Sequence, residues 1–279
     1  MRTRFDAPDD AQENHILFDR ASALDVASFV VDGVDLSPGA AIPSDGDPRI
    51  DRALAGFLFT CGPDHIRHPE PIAAGEESAR YPLHGSLAGT PVKHTHMSAD
   101  ATLCIATVEV NLADGGHALL ERRWHVDADR DEVMLEDRLT NTGAGSFPPM
   151  MMYHLNIAGR LAGDETRIIS PSFAEGERAW RFGEGESAHF CIPAKVEADG
   201  WSDVALAPLA GGKRLTVRFR ADTLPFLQMW RCQRGNADVI SIEPASHRLA
   251  KRPELGAAGE LKLLEPGQTQ TYALAFGVA

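Results

Sequence analysis

The chain has 279 residues, of which 43% are hydrophobic and 24% charged, with 25 glycines, 18 prolines and 4 cysteines. These proportions are typical of a globular protein and exclude a disordered, a collagen-like or a disulfide-scaffolded chain. A chain of this length buries roughly three quarters of its unfolded surface, so it can form a large core without disulfides or a structural metal.

The charge balance is acidic, with 40 Asp and Glu against 27 Lys and Arg and a formal net charge of −13. This charge repels nucleic-acid phosphates and anionic lipid surfaces, so we expect neither nucleic acid nor a membrane as a partner. It does not exclude a small anionic substrate held by a few local arginines. The cysteines form no C-x-x-C pair, which favours buried free thiols over a zinc or thioredoxin-type site. They are Cys61, Cys104, Cys191 and Cys232.

The amino terminus lacks the apolar segment of a signal peptide, and no later segment approaches the roughly 18 apolar residues of a membrane span. We therefore predict a cytoplasmic protein. Residues 1–14 are polar and acidic, and we predict that they form a partly disordered tail. Residues 15–279 are predicted to form a single domain.

Alternation of apolar and polar residues between residues 102 and 141 indicates three successive strands separated by turn residues. Arg122 interrupts the apolar face of the second strand. The same alternation recurs at residues 215–220 and 272–278, whereas no window of 12 or more residues shows a clean helical period. The sequence therefore predicts an all-β fold, a large antiparallel β-sandwich.

Three further segments complete the predicted organisation. Residues 37–52 are rich in Pro, Gly and Asp and predict a loop. Residues 56–61 (GFLFTC) form a short apolar run that predicts a buried strand. Residues 171–200 are the most irregular stretch, and we interpret them as a loop-rich insertion in the single domain.

Three segments place ionisable side chains beside strand-end or turn residues. His84 precedes a glycine, His154 and Asn156 are two residues apart and so share one side of a strand, and Glu243 ends an apolar strand. Two imidazoles and one carboxylate can deliver and remove protons near neutral pH without a cofactor, so this set predicts acid–base isomerisation. The alternatives are a packed His–Asn pair and a capping or solvated carboxylate.

Other catalytic signatures do not occur in the sequence. It has no Gly-rich phosphate loop, no G-x-S-x-G elbow and no H-E-x-x-H helix, so nucleotide transfer, serine hydrolysis and zincin chemistry lack their usual marks. We therefore predict neither a cofactor nor a catalytic metal.

The order of these segments resembles the aldose 1-epimerases, or galactose-mutarotase-like proteins, and especially their shorter bacterial relatives. The resemblance covers about residues 54–278 and implies a β-sandwich with a sugar bound on the concave face of one sheet. It depends on the pieces 56–62 (GFLFTCG), 83–85 (LHG), 135–141 (LEDRLTN), 152–156 (MYHLN), 242–244 (IEP) and 264–267 (LEPG).

The resemblance also implies a role for each ionisable residue. Glu243 corresponds to the general base that takes the proton of the anomeric hydroxyl, and His154 to the acid that protonates the ring oxygen. His84 corresponds to a hydrogen-bonding partner of the substrate. Ring opening, rotation about C1–C2 and reclosure then interconvert the α and β anomers of an aldose or aldose derivative. The expected partner is this small sugar, neutral or anionic, bound by a monomer or homodimer.

Further substrate contacts follow from the same comparison. Trp230 corresponds to an aromatic residue that stacks on a sugar face, with core packing as the alternative. Arg67 or Arg231 can hold an anionic group through paired hydrogen bonds, with solvent exposure as the alternative. The residues expected to contact the sugar are Asp64, His65, Arg67, Asn156, Trp230 and Arg231.

Two other functions are compatible with the sequence. His94 and His96 lie on one face of a strand with Asp100 close behind, which approximates the metal site of a cupin-like sugar isomerase. A sandwich that keeps the pocket without turnover would be a carbohydrate-binding or sensing module. The combination of one carboxylate with two histidines argues against this second alternative, because binding alone does not require it.

Overall fold

The computed structural model describes residues 3–6, 14–39, 46–73, 78–180 and 187–279. Two short helices, α1 (Pro48–Ala55) and α2 (Arg252–Ala257), and two 3-10 turns, Gly159–Leu161 and Ala210–Gly212, accompany the strands. The strands are β1 (Arg4–Phe5), β2 (His15–Asp19), β3 (Asp25–Val31), β4 (Val34–Asp35), β5 (Leu58–Cys61), β6 (His94–Met97), β7 (Leu103–Asn111), β8 (His117–Asp127), β9 (Glu132–Asn141), β10 (Met152–Ala158), β11 (Ala162–Ile169), β12 (Glu177–Ala179), β13 (Ser187–Pro193), β14 (Trp201–Leu209), β15 (Leu215–Arg220), β16 (Phe226–Cys232), β17 (Val239–Ala245) and β18 (Thr269–Val278).

The described strands form two large sheets. The first has the order β1-β2-β3-β5-β10-β17-β16-β13, with β4 beside β3, and the second has the order β12-β11-β14-β15-β18-β9-β8-β7-β6. Apart from the short β1–β2 pair, neighbouring strands run antiparallel. The sheets face each other across the main hydrophobic core, as the ring contact of 5.2 Å between Phe29 and Phe276 illustrates. The predicted all-β antiparallel sandwich is confirmed.

The three-strand pattern predicted over residues 102–141 corresponds to β7, β8 and β9. β8 pairs with both neighbours in continuous register. Because successive side chains of a strand point to opposite faces, every second residue enters the core. On β7 and just beyond it the buried residues are Cys104, Ala106, Val108, Val110 and Leu112.

Part of the predicted loop over residues 37–52 is helical. Helix α1 begins at Pro48, and the side chain of Asp47 caps it by accepting a hydrogen bond from the backbone N–H of Arg49. Ile50 and Leu54 are buried against the face of the first sheet that points away from the second, which we call the outer face. Eight residues are too few for a helical period to be recognised. Residues 40–45 lie outside the described residues.

The predicted insertion over residues 171–200 contains two strands, β12 and β13. β13 pairs with β16 along its whole length and forms an edge of the first sheet. Its central residues alternate between polar and apolar side chains, a signal that is short enough to be missed. Residues 181–186 lie outside the described residues.

The predicted tail also contains an ordered piece. Arg4 and Phe5 form β1, and the Phe5 ring is buried against Phe18 with a centroid distance of 5.2 Å. Residues 1–2 and 7–13 of this tail lie outside the described residues. Among the described residues, no helix is both long and apolar enough to cross a membrane.

A buried arginine connects the two sheets. Arg122 lies on the core face of β8 with no exposed surface. Its guanidinium donates two hydrogen bonds to the carboxylate of Asp137, at 2.9 and 2.6 Å, and one to Asp25 Oδ1 at 2.7 Å. It also donates to the carbonyl oxygen of Ala23 at 2.8 Å and to Thr60 Oγ1 at 2.7 Å. The charge of this cation is thus matched by two buried carboxylates.

The same network reaches β5 and β10 of the first sheet. Thr60 donates to Asp25 from its hydroxyl at 2.7 Å and from its backbone N–H at 3.1 Å. The hydroxyl of Tyr153 donates to Asp137 Oδ2 at 2.8 Å. Buried polar groups are costly only when they are unpaired, so this network holds β5 and β10 against the second sheet.

Replacing Arg122 with Met would leave two buried carboxylates without their cation. We expect Arg122→Met to lower the free energy of unfolding by about 3–5 kcal/mol, measured by urea denaturation. The control is Arg123→Met, one residue along β8, whose ion pair with Glu136 is half exposed on both sides. Arg123→Met should lower the free energy of unfolding by less than about 1 kcal/mol. Equal losses in the two variants would contradict the role assigned to Arg122.

Candidate active site

The outer face of the first sheet carries a row of side chains from five adjacent strands. Phe59 on β5 pairs with His154 on β10, and the β10–β17 register places His154 beside Glu243. Glu243 pairs with Gln228 on β16, which pairs with Cys191 on β13. Strand pairing thus brings the predicted acid and the predicted base together across one strand-to-strand gap.

A cavity of about 390 Å³ lies over this row. His84 and the segment containing Arg67 and His68 contribute to its walls, as do Trp230 and Arg234 at the β16 side. All three predicted catalytic residues, His84, His154 and Glu243, line this one cavity.

A slightly larger cavity, of about 430 Å³, lies on the opposite side of the molecule, over β8, β9 and β18. Its charged side chains pair with one another, as in Arg123–Glu136 at 3.0 Å and Arg220–Asp222 at 2.7 Å. Because these charges are paired and no histidine is among the described residues that line this cavity, the smaller cavity is the better candidate for acid–base chemistry.

Glu243 is the central residue of the cavity floor. It is 1% exposed, and its Oε2 accepts a hydrogen bond from the side-chain amide of Gln228. Its Oε1 lies 3.2 Å from His154 Nε2 and has no hydrogen-bond partner among the described residues. A buried carboxylate oxygen that lacks a hydrogen bond is costly, so Oε1 is prepared to accept one from a ligand hydroxyl.

The protonation of His154 follows from its neighbour Asn156. The amide nitrogen of Asn156 donates to the carbonyl oxygen of Gly56 at 3.0 Å. Its Oδ1 therefore accepts hydrogen bonds from Ser241 Oγ at 3.1 Å and from His154 Nδ1 at 2.7 Å. Because Oδ1 has no proton to give, Nδ1 of His154 carries one, and Nε2 is the nitrogen that exchanges a proton on the side of Glu243.

This arrangement corrects the prediction that Asn156 contacts the substrate. Asn156 has no exposed surface, and both ends of its amide are bonded to the protein. Its side chain orients His154 instead. The prediction that His154 and Asn156 share one side of a strand agrees with the structure.

His84 enters the cavity from a loop. Its Nδ1 lies 3.3 Å from the carbonyl oxygen of Ile66 and 3.4 Å from Cys61 Sγ, and its ring lies edge-on to His154 at 5.7 Å. Burial, followed by the proximity of His154, lowers the pKa of His84 well below its usual value. A neutral imidazole that directs Nδ1–H to Ile66 leaves Nε2 as a hydrogen-bond acceptor.

Gly85 is required for this loop to reach the sheet. Its φ is +85°, and a Cβ at this position would lie 2.1 Å from the carbonyl oxygen of His65 and 2.6 Å from that of Gly62. A side chain would therefore push the loop and His84 away from β5.

Two predicted substrate contacts do not reach the cavity. The Asp64 carboxylate accepts hydrogen bonds from the N–H and hydroxyl of Ser86 and from the N–H of Ala113. His65 faces the carbonyl oxygen of His68 through Nε2 and stacks on Tyr81. Both side chains are buried and fix the loops around the site, which corrects the predicted contacts of Asp64 and His65 with a sugar.

Trp230 and Arg231 point to opposite faces of β16. Trp230 lines the cavity, with its ring 5.9 Å from that of His154. Arg231 is buried on the other face, where its guanidinium lies 5.5 Å from the Trp180 ring. Adjacent strand residues cannot share one face, so the predicted substrate contact of Arg231 is corrected, whereas Arg67 does line the cavity.

Several residues that line the cavity are not among the predicted site residues. Gln228 lies two residues before Trp230, so strand alternation placed it on the same face and could have identified it. His189 is on β13, inside the predicted insertion, and His68 and Arg234 lie in loops that carry no local signal of a site.

The histidines of the cupin-like alternative do not form a ligand set. His94 and His96 are exposed on β6, at the edge of the second sheet, and Asp100 caps a turn by accepting from Ser98 Oγ at 2.6 Å. No group of three or more His, Cys, Asp or Glu in the described part of the chain is arranged to hold a metal ion. All four cysteines are free thiols, and Cys191 is only partly buried.

The buried histidines make stability depend on pH. Burial lowers the pKa of His65, His84 and His247, whereas in an unfolded chain they titrate near 6.5. Below about pH 6.5 the unfolded chain thus binds protons that the folded protein does not. The free energy of unfolding should therefore decrease as the pH is lowered from 7.5 to 5, as measured by urea denaturation at each pH. His84→Gln should flatten this slope, whereas His94→Gln, at an exposed position, should leave it unchanged. An unaltered slope in His84→Gln would contradict the assignment.

The fold has counterparts among solved structures. A candidate aldose 1-epimerase from Klebsiella pneumoniae subsp. pneumoniae MGH 78578 has a TM-score of 0.78 and 16% identity, covering 94% of this chain and 75% of that protein. A galactose mutarotase-like protein from Lactobacillus casei ATCC 334 has a TM-score of 0.66 and 12% identity, covering 93% and 95% of the two chains.

A third structure, the GalM/aldose epimerase homologue from C. elegans, has a TM-score of 0.62 and 13% identity, covering 93% of this chain and 94% of that one. Identities this low establish a shared fold, and the predicted resemblance to these proteins is confirmed at that level. A comparison with curated proteins found no match. A family model described as a domain of unknown function, DUF4432, matches residues 14–278, and the chain belongs to this family.

Proposed function

We propose that this protein is a cofactor-independent aldose 1-epimerase, a mutarotase that interconverts the anomers of a sugar by opening its ring. The observation that carries the proposal is the pair formed by Glu243 and His154. A buried carboxylate oxygen with no hydrogen-bond partner among the described residues lies 3.2 Å from an imidazole nitrogen, at the floor of a cavity. These two atoms are a base and an acid within reach of one small molecule.

The reaction requires one proton to be taken and another to be given. Glu243 Oε1 accepts the proton of the anomeric hydroxyl while His154 Nε2 protonates the ring oxygen. The C1–ring oxygen bond breaks, and the electron pair of the O–H bond forms the carbonyl group. After rotation about C1–C2 the new hydroxyl attacks the other face of C1. His154 then recovers its proton, and Glu243 returns its own to the anomeric oxygen.

The contacts of His154 fit its role as the acid. Its Nε2 lies 3.2 Å from Glu243 Oε1, so a substrate bound on the cavity floor can meet both atoms at once. Asn156 keeps the second proton on Nδ1 throughout, so His154 has a defined tautomer after Nε2 has given up its proton. This hydrogen bond thereby restricts proton exchange to Nε2, the nitrogen of His154 that faces the cavity.

The remaining lining residues serve substrate binding. His84 Nε2, as an acceptor, suits a sugar hydroxyl close to His154. The Trp230 ring beside His154 offers a flat apolar surface, which favours the face of a pyranose that carries axial hydrogens. A module that only binds carbohydrate would use these surfaces equally well, so turnover is the property that distinguishes the two functions.

We expect Glu243→Gln to reduce the rate of anomer exchange by about 10²–10⁴-fold, because glutamine keeps the shape of the side chain but cannot accept the proton. The measurement is exchange between α and β anomers by NMR, across a panel of neutral and acidic aldoses. Glu136→Gln, on the opposite side of the sandwich, is the control and should retain full activity. Binding of sugars without faster exchange in the unmodified protein would favour the binding module.

A second pair of variants separates the acid from the hydrogen-bonding histidine. His154→Gln should reduce the rate of anomer exchange by about 10²-fold or more, because an amide cannot protonate the ring oxygen. His84→Gln should reduce the rate of anomer exchange less, since a glutamine can still form a hydrogen bond with a substrate hydroxyl. Comparable losses in both variants, in the same exchange assay, would argue against assigning the acid to His154.

A further inference from the structure

We infer that the sugar carries an acidic group, a phosphate or a carboxylate, which the cationic wall of the cavity holds. This inference rests on the proposed function for its reaction, and on the charges of the lining residues for its substrate class. We use the name cationic wall for the part of the lining that carries the arginines Arg67 and Arg234, together with His68 and His189, whose ring N–H groups can donate hydrogen bonds.

Among the described residues that line the cavity, arginines outnumber carboxylates, whereas the protein as a whole is acidic. The chain as a whole has a formal net charge of −13. Among the described residues that line the cavity, however, Glu243 is the one carboxylate, against the two arginines Arg67 and Arg234. Glu243 Oε2 is bonded to Gln228, and the proposed reaction uses its Oε1. The two arginines can therefore pair with an anionic group of the ligand.

Arg67 is held in place without a carboxylate partner among the described residues. Its Nη1 donates to Gln228 Oε1 at 2.6 Å and its Nη2 to the carbonyl oxygen of His247 at 3.1 Å. Its Nε is buried and has no hydrogen-bond partner in the described part of the chain. Both of these contacts are to neutral acceptors, and the nearby carboxylate of Glu243 is reached only through Gln228. Burial lowers the pKa of Arg67, which shows the cost of keeping this cation away from water.

The other members of the cationic wall lie toward the opening. His189 on β13 pairs in register with Trp230, so its side chain stands beside that ring on the same face of the sheet. Arg234 follows the end of β16, and His68 follows Arg67. His68, His189 and Arg234 are exposed. An anionic substituent would thus meet the Arg234 guanidinium and two imidazole N–H donors at the mouth, with the anomeric carbon directed to Glu243 and His154.

The experiment compares D-glucose with D-glucose 6-phosphate and D-glucuronate. Anomer exchange by NMR gives kcat/KM for each sugar, and an NMR titration of the protein gives each dissociation constant. We expect at least one acidic sugar to exceed D-glucose by about tenfold or more in both quantities. Its binding should weaken between 50 mM and 500 mM salt, because salt screens exposed charges. The comparison of D-glucose 6-phosphate with D-glucuronate shows whether a phosphate or a carboxylate is preferred.

Variants test the assignment to the cationic wall. Arg234→Gln should reduce the preference for the acidic sugar over D-glucose by about tenfold, mainly through KM. Arg123→Gln, on the opposite side of the sandwich, is the matched control and should leave the preference unchanged. Equal kcat/KM for D-glucose and both acidic sugars would overturn the inference while leaving the mutarotase proposal intact. Tighter binding of an acidic sugar without faster exchange would support the inference and overturn the proposed reaction.

Discussion

The ion pairs of Arg122 with Asp137 and Asp25 are the interaction on which the sandwich and its candidate active site depend. A guanidinium in the core between two sheets is tolerable only if its hydrogen bonds and charge are matched, and here they are matched from both sheets. Thr60 and Tyr153 extend the network to β5 and β10. On those strands the neighbouring side chains point to the outer face, where His154 of β10 lines the cavity. A polar network in the core thus fixes the strand that carries His154, together with its neighbour β5.

On the outer face of the first sheet, hydrogen bonds orient the acid–base residues instead of joining the two sheets. Gln228 holds one oxygen of Glu243 and is itself held by Arg67, so the carboxylate is oriented without a direct ion pair to the arginine. Asn156 holds His154 from the other side. Every contact constrains an atom that does not react, and the two atoms left facing each other are those that exchange protons. This division between fixed and reactive atoms is what a preorganised acid–base site requires.

Alternation explains both the successes and the errors of prediction from the sequence. It identified β7, β8 and β9, and it marked Arg122 as an exception on an apolar face, which is the residue that joins the sheets. Applied to β16, the same rule places Trp230 and Arg231 on opposite faces, so their adjacency in the motif does not make both of them substrate contacts. Helix α1 and the loop residues Asp64 and His65 carried no periodic signal, because their positions are set by capping and by contacts with distant backbone.

The fold class and the core faces of the main strands follow from the amino-acid sequence alone, because side-chain alternation is a local property of extended backbone, and the ionisable residues can be read from it directly. Its resemblance to aldose 1-epimerases supplied the expectation that Glu243, His154 and His84 converge. Only the tertiary structure decided which strands are neighbours, which oxygen of Glu243 is left to react and which arginine reaches the cavity. Those outcomes depend on strand register and on hydrogen bonds between residues far apart in the chain, which no local pattern encodes.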